Sequence, residues 1–231
     1  MSLSAFDFAT GNELWTRAET TVNTSLRSAS PSPGYRDLEL VGSKIWAACA
    51  CDYVDGEPAK ALVKLSTEGV HDASWVAKAG ITSWGMSLVG ANGALYLCTA
   101  GTDDFLAAFS TVGDGKRSWR RDTSGNVQAV EVMDNQVVIG GHFWEVADEK
   151  GDNCGHGRSA PELEPVGDVC QTRKGIAAYK FNGVLDRNWD LEYSGKYSLV
   201  WALHVEGSTL HTGGEFTNVN GVTQTYYARL S

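Results

Sequence analysis

The residue types best suited to binding gather in one stretch of this 231-residue chain. His142-Phe-Trp-Glu145 opens it, and His156-Gly-Arg158 follows. Tryptophan and arginine join apolar area to directed hydrogen bonds, which makes them frequent anchors in interfaces. The stretch between Cys154 and Cys170 is dense in Gly, Pro and charge, and loops carried by a rigid scaffold are where binding groups concentrate. His142, Trp144, Glu145, His156 and Arg158 are therefore the candidate contact residues. The plainer alternative is a structural loop with no partner. A loop of this length without apolar periodicity needs a clasp, and Cys154 and Cys170 flank it. A disulfide between them would remove about 3 kcal/mol of unfolded-chain entropy and points to an oxidising compartment. Cys49 and Cys51 share one side of a strand, and Cys98 holds a similar place in the next repeat. These three allow a second bridge but are read as buried thiols, since cysteine packs as a small apolar residue.

Other chemistry finds less support. His142, Asp148, Asp152 and His156 match no metal-ligand spacing such as paired Cys-x-x-Cys or two histidines one helical turn apart. Asp52 with Asp55, and Asp103 with Asp104, lack the alternating acids of a calcium loop. No metal and no cofactor is expected. A glycosidase needs two carboxyl groups roughly 5–10 Å apart. Glu39 and Glu131 alternate with apolar residues and could face a channel, with Glu215 and Asp134 as further acids, but nothing singles out a pair. A Gly-x-Ser-x-Gly elbow is missing from the sequence.

The balance of charge is −9 with pI near 5.0, which disfavours nucleic acid because phosphates need clustered cations. The densest basic cluster, Lys116-Arg117 with Arg120-Arg121, sits beside Asp114 and Asp122 and is read as a solvated strand edge. No apolar run reaches the roughly 18 residues of a membrane span. The first residues lack a basic flank and an apolar signal core, so an export signal is expected outside this sequence.

What must position the candidate loop is a repeat. Apolar runs followed by Gly or Asn and then tryptophan recur around Trp15, Trp75, Trp119 and Trp189. A period of this size means one supersecondary unit copied in tandem, each copy burying its face against its neighbours. Runs rich in Val, Ile, Leu and aromatics, divided by Gly42-Ser43, Asn92-Gly93, Asp134-Asn135 and Gly207-Ser208, read as strands joined by hairpin turns. The expected fold is all-β: one β-propeller domain over residues 1–231, built of four-stranded antiparallel blades with an inserted loop at about 144–173. Four blades are expected and five are the alternative, closed by pairing the N- and C-terminal strands. Both ends, however, offer third-strand sequence, so one of them is surplus. The repeated tryptophans are expected to pack between blades.

Two phrases resemble known families. Ala5-x-Asp7-x-x-Thr10-Gly11-x-x-x-Trp15 resembles the tryptophan-docking motif of quinoprotein-like (PQQ-type) β-propellers. Thr212-Gly-Gly-Glu-Phe216-Thr-Asn-Val-Asn-Gly221 with Ala228-Arg-Leu230 resembles the bacterial delta-60 repeat, with Ile139-Gly-Gly-His-Phe143 and Asp52-Tyr-Val-Asp-Gly56 as worn copies. The resemblance implies a propeller and a leaning towards secreted, surface or phage proteins, without a quinone. The functional expectation is a non-catalytic binding module of a secreted, cell-surface or virion-associated protein, such as a phage tail or receptor-binding protein. Its partner would be a protein or a cell-surface glycan, with membership of a larger assembly as a further expectation. The alternative is an extracellular carbohydrate-active enzyme, a glycosidase or lyase, with carboxylates at the channel mouth; a structural spacer is a third reading.

Overall fold

The computed structural model describes residues 2–18, 21–22, 34–78, 81–148, 154, 170–195 and 199–231. Every regular element among them is a strand. Four main sheets follow one another along the chain, all antiparallel. The first is built from Tyr35–Val41, Lys44–Cys49 and Leu62–Ser66, and the second from Trp84–Ala91, Ala94–Ala100, Phe105–Ser110 and Arg117–Asp122. The third holds Val127–Met133, Gln136–Gly141 and Ile176–Lys180, and the fourth Val200–Glu206, Thr209–Gly214 and Tyr227–Leu230.

Local chemistry explains the hairpins. At Asn92-Gly93 and Asp134-Asn135 both turn residues have positive φ, the primed-turn backbone whose twist matches that of the flanking strands. A second device recurs where the third strand begins. Ala61, Gly175 and Tyr226 have φ of 68°, 76° and 67°. Their amides donate to the carbonyls of Cys51, Phe143 and Phe216, and their carbonyls accept from Cys49, Gly141 and Gly214. These paired bonds clamp the loop between second and third strands at its root. In the second sheet that loop is short, and Thr99 does the clamping instead: its Oγ1 accepts from the Phe105 amide at 2.9 Å and donates to the Asp103 carbonyl at 2.9 Å.

The core lies between successive sheets. One buried cluster joins the first and second sheets around Trp46, Trp75, Leu95 and Phe109. Another joins the second and third around Tyr96, Ile139 and Tyr179, and a third joins the third and fourth around Val138, Leu210 and Phe216. Burying side chains of this size contributes roughly 1.5–3 kcal/mol each before entropy is counted. The indole of Trp15 donates to the Thr67 carbonyl at 2.9 Å, that of Trp75 to Ser110 at 3.1 Å, and that of Trp119 to Phe181 at 2.9 Å. Each thus reaches to the end of the next third strand. Trp189 is half-buried against the third of these clusters.

The first strands lie side by side in chain order. Asp37 accepts from Ser87 Oγ at 2.8 Å and the Leu88 amide at 2.9 Å, and Glu39 from the Gly90 amide at 3.2 Å. Together the four first strands line one cavity of about 350 Å³, a radial, propeller-like arrangement.

Three expectations meet a different outcome. The sheets contain three, four, three and three strands among the described residues: the fourth-strand segments near Trp75 and Trp189 are irregular, and in the fourth sheet no further strand pairs with Tyr227–Leu230. There the Asp72 carboxylate takes the amide and hydroxyl of Ser74, and Asp186 takes the amide of Asn188. Such local side-chain bonds offer the backbone an alternative to the ladder. Second, the terminal strands do not pair with one another: Ser2–Phe6 pairs with Glu13–Ala18, and Tyr227–Leu230 with Thr209–Gly214. Both are third-strand sequences, and in the complete second sheet a third strand lies between a second and a fourth. The N-terminal pair instead packs on the first sheet through Leu3, Trp15 and Arg17, whose Nη1 donates to the Gly69 carbonyl at 2.6 Å. Third, Cys49 and Cys51 are bridged to each other, their Cα atoms 5.3 Å apart, inside the range a disulfide spans. Cys98 remains a buried thiol, and burial pushes it well above the ordinary thiol range. The Cys154–Cys170 bridge is present, with Cα atoms 5.7 Å apart.

Candidate functional site

The candidate loop leaves the third sheet at the end of Gln136–Gly141. His142 donates its amide to the Asn126 carbonyl at 2.7 Å and leaves its ring in solvent. Phe143 turns inward and is buried. The amides of Trp144 and Glu145 both donate to Ser124 Oγ, at 2.9 and 3.0 Å, while the Ser124 amide donates to the Glu145 carbonyl at 3.0 Å. From there Glu145–Ala147 pairs with Cys170–Thr172, and the Arg173 amide donates to the Trp144 carbonyl. A serine hydroxyl, a two-strand ladder and a disulfide therefore fix the loop at its base. Ala147 packs with Cys154 and Cys170.

The five sequence candidates fare differently. His142 is exposed, Trp144 is half-buried, and Glu145 is 3% exposed with Oε2 lacking a hydrogen-bond partner. His156 and Arg158 lie outside the described residues. Beneath the loop runs a charged layer that the sequence reading did not assemble. Buried Asp148 accepts from Arg187 Nη2 at 2.6 Å. Buried Arg173 donates from Nη2 to the Arg187 carbonyl at 3.3 Å and lies 3.4 Å from Asp190. Tyr179 donates to the Ala147 carbonyl at 2.8 Å, and its burial pushes the phenol above its ordinary range. Paired Asp and Arg on either side of the cysteines were the available signal.

Two of the four basic residues differ from the expected solvated edge, whereas Lys116 is exposed and Arg117 half-exposed. Arg120 reaches Asp103 and Asp122, and Arg121 is buried with Nε donating to the Gly183 carbonyl at 2.7 Å. These cations are internal fasteners.

A second polar locus is the cavity among the first strands. Arg36, Asp37, Glu39, Ser87, Glu131 and Trp201 line it. Burial raises the Glu131 carboxyl above its ordinary range; Glu39 and Asp37 push the same way, and His204, its Nδ1 3.9 Å from Oε1, opposes them. A proton held at higher pH beside other carboxylates is the pattern of a general acid. Asp37 and Glu39 also accept the backbone and hydroxyl bonds described above, which is structural work. Among the described residues no three metal-ligating side chains converge, and no helix is long and apolar enough to cross a membrane.

No family model matches the chain, and no curated protein matches it either. Among solved structures it is similar to BamB from Moraxella catarrhalis at 13% identity and a TM-score of 0.48, covering 92% of this chain and 63% of that one. It is similar to the WD40 β-propeller domain of Doa1 at 12% identity and a TM-score of 0.42, covering 90% and 75%. The computationally designed Ika8 protein gives 10% identity and a TM-score of 0.44, covering 83% and 63%. The chain thus spans about 63% of the length of BamB and of the designed protein. Likeness at this level carries neither blade number nor function.

Proposed function

We propose that the chain is a non-catalytic binding module of a secreted, cell-surface or virion-associated protein, in which a propeller of delta-60 type presents the loop at 144–173 to a protein or a surface glycan. His142 and Trp144 contact the partner, with His156 and Arg158 on the loop beyond them. Glu145, inside the root, holds the loop in place. The observation that carries this reading is the fixed base: an exposed His142 and a half-exposed Trp144 stand on a platform locked by Ser124, the Cys154–Cys170 bridge and the Asp148–Arg187 pair. A site locked before binding loses little ordering entropy when a partner docks. Two disulfides support an oxidising compartment.

A second reading, the carbohydrate-active enzyme, is favoured by Glu131, whose raised pKa lies in a cavity shared with Glu39. One screen separates the two. The wild type, His142→Ala/Trp144→Ala, Glu39→Gln and Glu131→Gln are presented to a glycan array and to surface-protein extracts, with product release followed for every glycan. The binding reading expects about a 30-fold loss of affinity in the double variant, the scale of a 2 kcal/mol hot spot, with the fold intact and no turnover. Unchanged binding by the double variant overturns the loop as contact surface. Turnover lost in either glutamine variant establishes the enzyme.

A further inference from the structure

The outward face of the fourth sheet carries a cluster that the candidate loop does not use. His204 and His211 stand directly opposite each other on neighbouring strands, so their side chains project from one face. Their ring centroids are 6.2 Å apart. The third strand of the sheet supplies Tyr227, whose Oη lies 2.6 Å from His211 Nδ1. The other nitrogen, His211 Nε2, is buried without a hydrogen-bond partner and lies 3.7 Å from a Glu206 carboxylate oxygen. His204 is largely exposed, and its Nδ1 is 3.9 Å from Glu131. Each ring therefore has an oxygen group beside Nδ1 and leaves Nε2 for another task.

We propose that His204 and His211 form a two-imidazole chelate for a divalent transition metal ion, with Cu²⁺ bound more tightly than Ni²⁺ or Zn²⁺. An ion requires each nitrogen at about 2.0–2.1 Å, and two rings at this separation both reach an ion lying between them. Neutral imidazole suits these metals, and the order of preference follows their general affinity for nitrogen sites. Tyr227 orients the His211 ring, as outer partners of metal-binding histidines do, and Glu131 and Glu206 add negative charge around the ion. Only two protein nitrogens are supplied, in keeping with the lack of any three-ligand group among the described residues. The remaining positions lie on the side of the largely exposed His204 and take water or a group brought by a partner, so the ion exchanges and does not hold the fold. This site is independent of the loop at 144–173.

The test is titration of the tag-free full chain with CuCl₂, NiCl₂ and ZnCl₂, followed by calorimetry and by quenching of tryptophan fluorescence; Trp201 is exposed on the same strand as His204. One Cu²⁺ should bind per chain with a dissociation constant on the order of micromolar, and the bound Cu²⁺ should show two nitrogen couplings in its electron paramagnetic resonance spectrum. His204→Gln and His211→Gln should each weaken binding at least ~10-fold, and Tyr227→Phe about 10-fold. His71→Gln should leave Cu²⁺ binding unchanged. Circular dichroism of each variant confirms its fold. Failure of Cu²⁺ to saturate below about 1 mM, or tight binding that survives loss of both histidines, overturns the proposal.

Discussion

The second and third sheets share one frame and differ in what they hang on it. In the second, all four strands pair, and the loop between its second and third strands is four residues, 101–104, clamped by a single threonine. In the third, the same connection runs from His142 to Gly175 and carries its own two-strand ladder, a disulfide and buried Asp148 and Arg173. The flanking strands scarcely change: Val137, Val138 and Ile139 are as buried as Leu95, Tyr96 and Leu97. Hydrogen bonding at the loop root isolates the sheet from the length of the insertion. That is how an insertion of this size can be carried without loss of the core.

Three experiments press on this contrast. The largest effect is expected in the shared core, where Phe109→Ala removes a fully buried ring between the first and second sheets. It should cost about 3–5 kcal/mol, read by urea unfolding, and a loss below about 1 kcal/mol would mean that these sheets do not depend on each other. Next, Cys154→Ser/Cys170→Ser should cost up to about 3 kcal/mol of loop-closure entropy. Hydrogen exchange should then rise at 145–147 and 170–172 while 94–110 stays protected; exchange rising equally in both would show that root and sheet unfold as one. The smallest effect separates two turns. At Gly183 an added Cβ would lie 2.7 Å from the Trp119 ring, whereas at Gly113 it meets nothing within 4 Å, although both have positive φ. Gly113→Ala should cost only about 1 kcal/mol, the backbone penalty, and Gly183→Ala clearly more, as measured by melting temperature. Equal costs would refute the view that Trp119 packs tightly on that turn.

The all-β reading was legible because strand runs and two-residue turns are local signals. The Cys154–Cys170 pair was legible because a long polar loop needs a tie. The His204–His211 pairing was legible in principle, since a two-residue turn at Gly207-Ser208 sets 204 opposite 211, yet alternation alone gives no reason to look there. Other features were hidden. Arg120 and Arg121 read as surface charge because their partners, Asp103 and the Gly183 carbonyl, come from distant segments. Glu145 read as a contact residue because its burial depends on Cys170–Thr172 closing over it. The fourth strands of the first and third sheets were expected from their tryptophans, but the Asx bonds at Asp72 and Asp186 turn the backbone aside.

By itself the amino-acid order determined the first three strands of each sheet, the turns between the first two, the spacing of Trp15, Trp75, Trp119 and Trp189, and the acidic balance. These follow from backbone preferences and alternation within a few residues. Only the tertiary structure decided that Glu39 and Glu131 share a cavity, that Cys49 joins Cys51, and that the terminal strands each pair within their own sheet. Those outcomes depend on which surfaces meet after the sheets stack, and side-chain packing and desolvation settle that across distances no local pattern encodes.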